Sequence, residues 1–223
     1  EELPRLPSVP GSGGDAAPVA LELSLGGPFD ALAARAADAL TPIPGEGVLV
    51  ARGPIDLRLN HGEQSIDLGR VEGGRHRLVV VQSRGDGYVD GLTFAHQAGL
   101  LSLPEAVARA RAFQAWLGQA GFAVLPGADR LDPAPFTTMP SDGSEGVSAA
   151  GWDEAAALLA DDGQAVTAME LYALRTAGQL ATVRLENVRR HEREVCAHSE
   201  WRGEEGREWR LLVTISPSLA PVP

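Results

Sequence analysis

Lysine is missing from this chain: all 19 basic residues are arginine. A phosphate-binding P-loop and a Schiff-base nucleophile both need a lysine, so neither can be built here. Cysteine is nearly missing as well. Cys196 stands alone, which excludes an intramolecular disulfide and any cysteine-based zinc cluster. No apolar run approaches the ~18 residues a membrane-spanning helix needs. Positive charge is in deficit, with 19 basic against 30 acidic residues and a formal net charge of -11. Nucleic-acid affinity rests on neutralising phosphates, and anionic membrane surfaces recruit basic clusters, so both partners are disfavoured. The acidic balance suits solubility and a basic protein partner. No GxSxG nucleophile elbow is present either.

What is present is a globular composition, with 44% hydrophobic and 22% charged residues among 223. A chain of this length buries roughly 70% of its unfolded surface, as one large domain or two small ones. Abundant Ala and Gly beside scarce Asn and Ile read as the codon bias of a GC-rich, bacterial genome. Charge is uneven along the chain. Residues 184–210 hold seven Arg and seven acids, so the remainder, with 12 basic and 23 acidic residues, carries the whole excess.

Residues 1–18 are rich in Pro, Gly and Ser and read as a flexible tether. Such a tether suits an exported or lipid-anchored protein whose leader has been removed. The expected location is therefore the periplasm, with the cytoplasm as the alternative. A first α+β unit is expected over 19–125. It opens with a strand at Ala20–Leu25 and a helix from Phe29 to Leu40, stopped by Thr41-Pro42. Strands follow at Val48–Ala51, at Ile55–Leu59, and at Ile66–Leu68 after an Asn60-His61-Gly62 turn. An Asp86-Gly87 hairpin turn pairs Val81 with Leu92 and Val79 with Phe94. A helix over Leu103–Ala120 starts at a Ser102/Glu105 capping box and ends at Gly121 as its left-handed cap.

Residues 126–147 carry four prolines and read as a linker or long loop. The second unit, 148–217, is expected to hold a helix at Trp152–Ala160 and a four-stranded meander. Its strands are expected near 168–175, 180–188, 194–202 and 207–215. For Trp201 and Trp209 to share a face, the last hairpin must be bulged, with Gly206 in the left-handed region. The fold class is thus α+β, with mostly antiparallel sheets and two or three packed helices.

The chemical motifs fall short of sites. In His191-Glu192-Arg193-Glu194-Val195 a valine replaces the second histidine that a zinc-protease helix requires. Cys196 and His198 share a strand face, but two ligands do not hold a metal. Asp86-Gly87-Tyr88-Val89-Asp90-Gly91 lacks the oxygen ligands of a calcium loop at its third and twelfth positions, Tyr88 and Gln97. His61, His76 and His96 are isolated in sequence. No catalytic residue, metal or cofactor is expected, and an enzyme would need a site assembled in space.

The segment Leu103-Pro104-Glu105-Ala106-Val107 through Trp116-Leu117-Gly118-Gln119-Ala120-Gly121-Phe122, with Thr182-Val183-Arg184-Leu185-Glu186-Asn187-Val188-Arg189-Arg190, resembles small α+β proteins of Gram-negative bacteria. These include periplasmic immunity proteins and lipoproteins encoded beside type VI secretion toxins. The resemblance covers under a fifth of the chain. It implies a non-enzymatic protein that binds and blocks one cognate toxin. The acidic loops expected to meet a basic toxin or hydrolase are Asp86 and Tyr88, Asp161 and Asp162, and Glu204 and Glu205. The alternative is a structural or adaptor subunit of an envelope or secretion assembly, joined by strand addition.

Overall fold

The computed structural model describes residues 17–61, 64–71, 80–82, 87–95, 99–124, 136–140, 148–161, 166–175, 178–190 and 206–217. In chain order its first half holds β1 (Val19–Ser24), α1 (Phe29–Arg35), β2 (Leu40–Ile43), β3 (Val48–Ala51), β4 (Ile55–His61), β5 (Gln64–Val71), β6 (Val80–Gln82) and β7 (Gly91–Ala95). The second half holds α2 (Leu103–Gln119), β8 (Phe122–Val124), β9 (Phe136–Pro140), β10 (Ser148–Ala149), α3 (Trp152–Ala160), β11 (Val166–Arg175), β12 (Gln179–Asn187) and β13 (Trp209–Pro217). The fold is α+β and its sheets are dominated by antiparallel pairing, as the patterning predicts.

The smaller sheet has the order β1-β4-β5. Period-two burial explains it: Leu21 and Leu23 of β1, and Ile55, Leu57 and Leu59 of β4, all turn one way into the core. In β5 the buried residues change phase, from Ile66 and Leu68 to Val71. A bulge opposite Leu57 and Arg58 makes the change possible. Gly69 takes the left-handed conformation there, φ 64°. Asp67 Oδ1 accepts from the Gly69 N–H at 2.9 Å. The inserted residue flips the pleat, so both ends of β5 keep an apolar face inward. The β1–β4 pair is parallel, a long-range contact that local turn chemistry does not announce.

The larger sheet runs β10-β9-β11-β12-β13-β7-β6-β3-β2, with β8 also paired to β11. The expected Val81–Leu92 pairing is present, while Asp86 of the expected turn lies outside the described residues. Val79 lies outside the described residues. β13 pairs with β7, so the sheet continues across the 126–147 stretch. A single apolar cluster includes buried residues of both sheets and of α1, α2 and α3. β9 falls inside the stretch read as a loop or linker, and pairs with both β10 and β11.

Two further differences have physical causes. The first helix stops at Arg35 rather than Leu40, and Leu40–Ile43 joins β3 as β2. Pro42 is tolerated in β2 because this strand lies at the end of the sheet, where among the described residues no second strand needs its missing N–H. In the C-terminal part four antiparallel strands stand side by side, β9-β11-β12-β13. The strand expected near 194–202 lies outside the described residues, and the place beside β12 is taken by β13, with Asn187 opposite Trp209. Residues 188–190 form a helical turn after β12. Gly206 has φ 80°, as the bulged-turn expectation requires, while Trp201 is outside the described residues.

The central helix, α2, forms as its sequence dictates. Glu105 Oε2 accepts from the Ser102 N–H at 2.9 Å and from its hydroxyl at 2.7 Å. Gly121 sits just past the helix with φ 87°. Ala106, Val107, Ala110, Phe113, Trp116 and Leu117 are buried. Phe113 meets Phe94 of β7 edge-on, with ring centroids 6.4 Å apart. The chain entering α2 is fixed to β13 by paired backbone bonds between Leu101 and Trp209.

Candidate functional site

Of the six residues expected to meet a partner, the described structure contains Tyr88 and Asp161. Asp86, Asp162, Glu204 and Glu205 lie outside the described residues, as do His191, Cys196 and His198. Asp161 is exposed and forms the C-cap position of α3, with φ -75° and ψ 104°. Tyr88 stands 52% exposed at the tip before β7.

The tip is built on the turn that joins β1 to α1. Leu25-Gly26-Gly27-Pro28 reverses the chain, and the backbone of 87–89 docks against it. The Gly26 N–H donates to the Val89 carbonyl at 2.8 Å, Val89 N–H to Gly27 at 2.8 Å, and Phe29 N–H to Gly87 at 2.7 Å. A Pro28–Tyr88 bridge lies between these bonds. Val89 itself is buried, so its side chain anchors the tip in the core. The backbone under Tyr88 is therefore cross-linked to a neighbouring element. A backbone held this way loses little conformational freedom when the side chain it carries meets a partner. Tyr88 and Asp161 rest on separate supports: Tyr88 on the β1–α1 turn, Asp161 on a helix that packs against α2, β10 and β11.

A second polar feature was not read from the sequence. Glu170, Arg184, Glu186 and Arg210 form an ion ladder across β11, β12 and β13. Arg184 Nη1 donates to Glu170 Oε1 at 3.0 Å, and its Nη2 to Glu186 Oε1 at 3.0 Å. Arg210 Nη2 donates to Glu186 Oε2 at 2.5 Å. Glu186 is only 3% exposed. The ladder follows from register: Glu170 lies opposite Arg184, and Glu186 opposite Arg210. Only Arg184 and Glu186, two apart on one strand, were legible as a pair. The same face carries a Thr93–Thr214 hydroxyl contact at 2.9 Å. Beside it Asn187 Oδ1 accepts from the Arg190 N–H at 3.0 Å, and Arg189 is paired with Glu208 at 2.7 Å. Every carboxylate in the ladder is already held by an arginine. These bonds tie β11, β12 and β13 together across one face of the sheet.

Among the described residues, Glu105 and Arg109 are shifted in their ionisation. Hydrogen bonds from Ser102, the backbone one first, hold the Glu105 carboxyl below its ordinary 4.5. Burial lowers Arg109, with Glu105 opposing the change. The Glu105 shift reports on the capping of α2, and the Arg109 shift on the burial of that residue along the same helix. Among the described residues no group of three or more His, Cys, Asp and Glu is placed to hold a metal. Among the same residues no helix is long and apolar enough to cross a membrane.

No family model, curated protein or solved structure matches this chain.

Proposed function

We propose that this chain is a non-enzymatic binding protein that blocks a basic protein partner, in the manner of an immunity protein neutralising an antibacterial toxin. The observation that carries the reading is the Tyr88 tip. A half-exposed aromatic on a hydrogen-bonded backbone is the type of group that dominates protein interfaces, where a few rigid aromatic or arginine anchors supply most of the energy. The net charge of -11 supports a basic partner, because opposite charge speeds encounter and selects against acidic competitors. Asp161 supplies exposed acidity at a second, separate support.

The experiment is capture of partners by the tagged full chain from its native lysate, followed by affinity measurement with the partner found. One dominant basic chain at near-equal stoichiometry is expected. Tyr88→Ala is expected to weaken that complex by about 2 kcal/mol or more, roughly 30-fold. The association rate is expected to fall as salt rises, because steering is screened beyond about a Debye length. Recovery of several envelope or secretion subunits in place of one chain would replace this reading with the adaptor role. An unchanged affinity in Tyr88→Ala would remove the tip from it.

A further inference from the structure

Among the described residues, β1 leaves one edge of the smaller sheet open. β1 lies at the end of its sheet, and among the described residues its only strand neighbour is β4. The backbone directions follow from the parallel register. Val19 N–H donates to Pro54 and Leu25 N–H to Asn60, so the odd-numbered residues turn their polar groups toward the β4 side. Ala20, Glu22 and Ser24 therefore turn theirs to the open edge. Two contacts agree. The Glu22 carbonyl accepts from Arg35 Nη2 at 2.9 Å, and the Ser24 carbonyl accepts from the Gly27 N–H at 3.1 Å. That leaves the N–H and carbonyl of Ala20 and the N–H groups of Glu22 and Ser24 facing outward.

These groups face a groove of about 340 Å³, between the start of β1 and the chain leaving α1. Val19, Ala20 and Glu22 line one wall, and Arg35, Asp38 and Ala39 line the other. Val19 is 46% exposed, and Glu22 and Asp38 are exposed carboxylates. A row of outward backbone groups beside a channel is the arrangement that strand addition uses. Main-chain bonds supply the affinity, and flanking side chains choose the sequence.

We propose that the β1 edge binds an extended, basic polypeptide segment of another protein as an added strand in the groove between β1 and α1. Charge selects this occupant over a second copy of the chain. Edge-to-edge pairing of two copies would bring together two molecules of net charge -11, with a Glu22 on each of the paired edges. A basic segment meets Glu22 and Asp38 instead. Arg35 acts as a plug: it occupies the Glu22 carbonyl that an added strand would also use.

The test uses the full chain and a fluorescein-labelled eight-residue peptide alternating valine and arginine, followed by anisotropy at low salt. A second peptide has the same sequence with alternate backbone amides N-methylated. Saturable one-to-one binding of the first peptide is expected, with at least ten-fold weaker binding of the methylated one. Ala20→Pro is expected to weaken the first peptide at least ten-fold while leaving the fold intact, because the Ala20 N–H does not pair with β4. Arg35→Ala is expected to tighten it several-fold by freeing the Glu22 carbonyl. Equal binding of the two peptides overturns the proposal whether or not Ala20→Pro folds, since it means adsorption by charge alone. Absence of saturable binding overturns it too. So does a sedimentation result in which the chain self-associates and Ala20→Pro abolishes that association. Tyr88→Ala is expected to leave peptide affinity unchanged, so failure here and failure at the Tyr88 tip are read separately.

Discussion

Glu186→Ala is the substitution whose outcome depends most on tertiary structure. The Glu186 side chain is 3% exposed, and both its oxygens are held by guanidinium groups, those of Arg184 and Arg210. Removing one partner of a fully buried ion pair costs about 3–5 kcal/mol, because the charge left behind has lost its water. An exposed pair costs about 0–1 kcal/mol. Arg184 and Arg210 are 25% and 18% exposed, so each regains part of its hydration when Glu186 is gone. The expected loss lies between the limits, at roughly 2–3 kcal/mol. For a chain of this size that is a fall in Tm of about 5–10 °C. Urea unfolding followed by tryptophan emission reads it directly, since Trp116 and Trp209 are buried. The control is Asp153→Ala, which breaks the exposed pair to Arg111, with side chains 98% and 47% exposed, and should change stability by under about 0.5 kcal/mol. High salt should leave the Glu186→Ala loss largely intact, because buried pairs are poorly screened. Replacing Arg184, Glu186 and Arg210 together by apolar residues of similar volume should recover much of it. If Glu186→Ala is as mild as Asp153→Ala, the ladder is not desolvated and the burial reasoning fails.

Other expected outcomes follow from single contacts. Phe113→Ala removes a fully buried ring in contact with Phe94 and Trp116 and should cost about 3–5 kcal/mol in chemical unfolding, with Phe113→Leu well below that. Gly121→Val forces a β-branched residue to φ 87° and should cost about 1–2 kcal/mol, read as a lower Tm, whereas Gly118→Ala inside the same helix should be neutral or stabilising. Glu105 gives a pH signature. Its folded value lies below the ordinary 4.5, so the unfolded chain binds more protons in this window. Its contribution is complete above 4.5 and is lost as pH falls through the lower folded value. Thermal melts of Glu105→Gln and the parent should therefore differ at neutral pH and converge in acid; a gap that widens in acid contradicts the capping box.

The same residues separate what was legible from what was not. α2 was readable from end to end, because its signals are local: a capping box three residues apart, an apolar stripe at helical period, and a glycine at its exit. α3 was readable for the same reason. The Val81–Leu92 register came from a two-residue turn, which sets pairing over a short span. Tyr88 was picked as a tip residue from that turn, but its rigidity was not visible. The bonds that hold it come from Gly26, Gly27 and Phe29, some sixty residues earlier.

The missed elements are ones that non-local partners decided. Residues 40–43 have an apolar pattern open to either helix or strand. β3 offers them a ladder, and an end-of-sheet position forgives Pro42. β9 is a short segment among prolines that exists as a strand because β11 presents an edge to it. β13 pairs with β12 along its whole length across a long intervening stretch, because sheet pairing rewards register and burial and only weakly penalises the length of the connection.

By itself, then, the amino-acid sequence determined the class of fold, the helices α2 and α3, the short-range hairpin register, and the chemistries that lack their residues. Each of these depends on groups within one turn, one hairpin or one composition. The tertiary structure alone decided the parallel β1–β4 pair and its open edge, the continuity of the larger sheet through β7 and β13, and the Glu170–Arg184–Glu186–Arg210 ladder. Those depend on which strand lies beside which, and strand adjacency is settled by burial of the whole core rather than by any local signal.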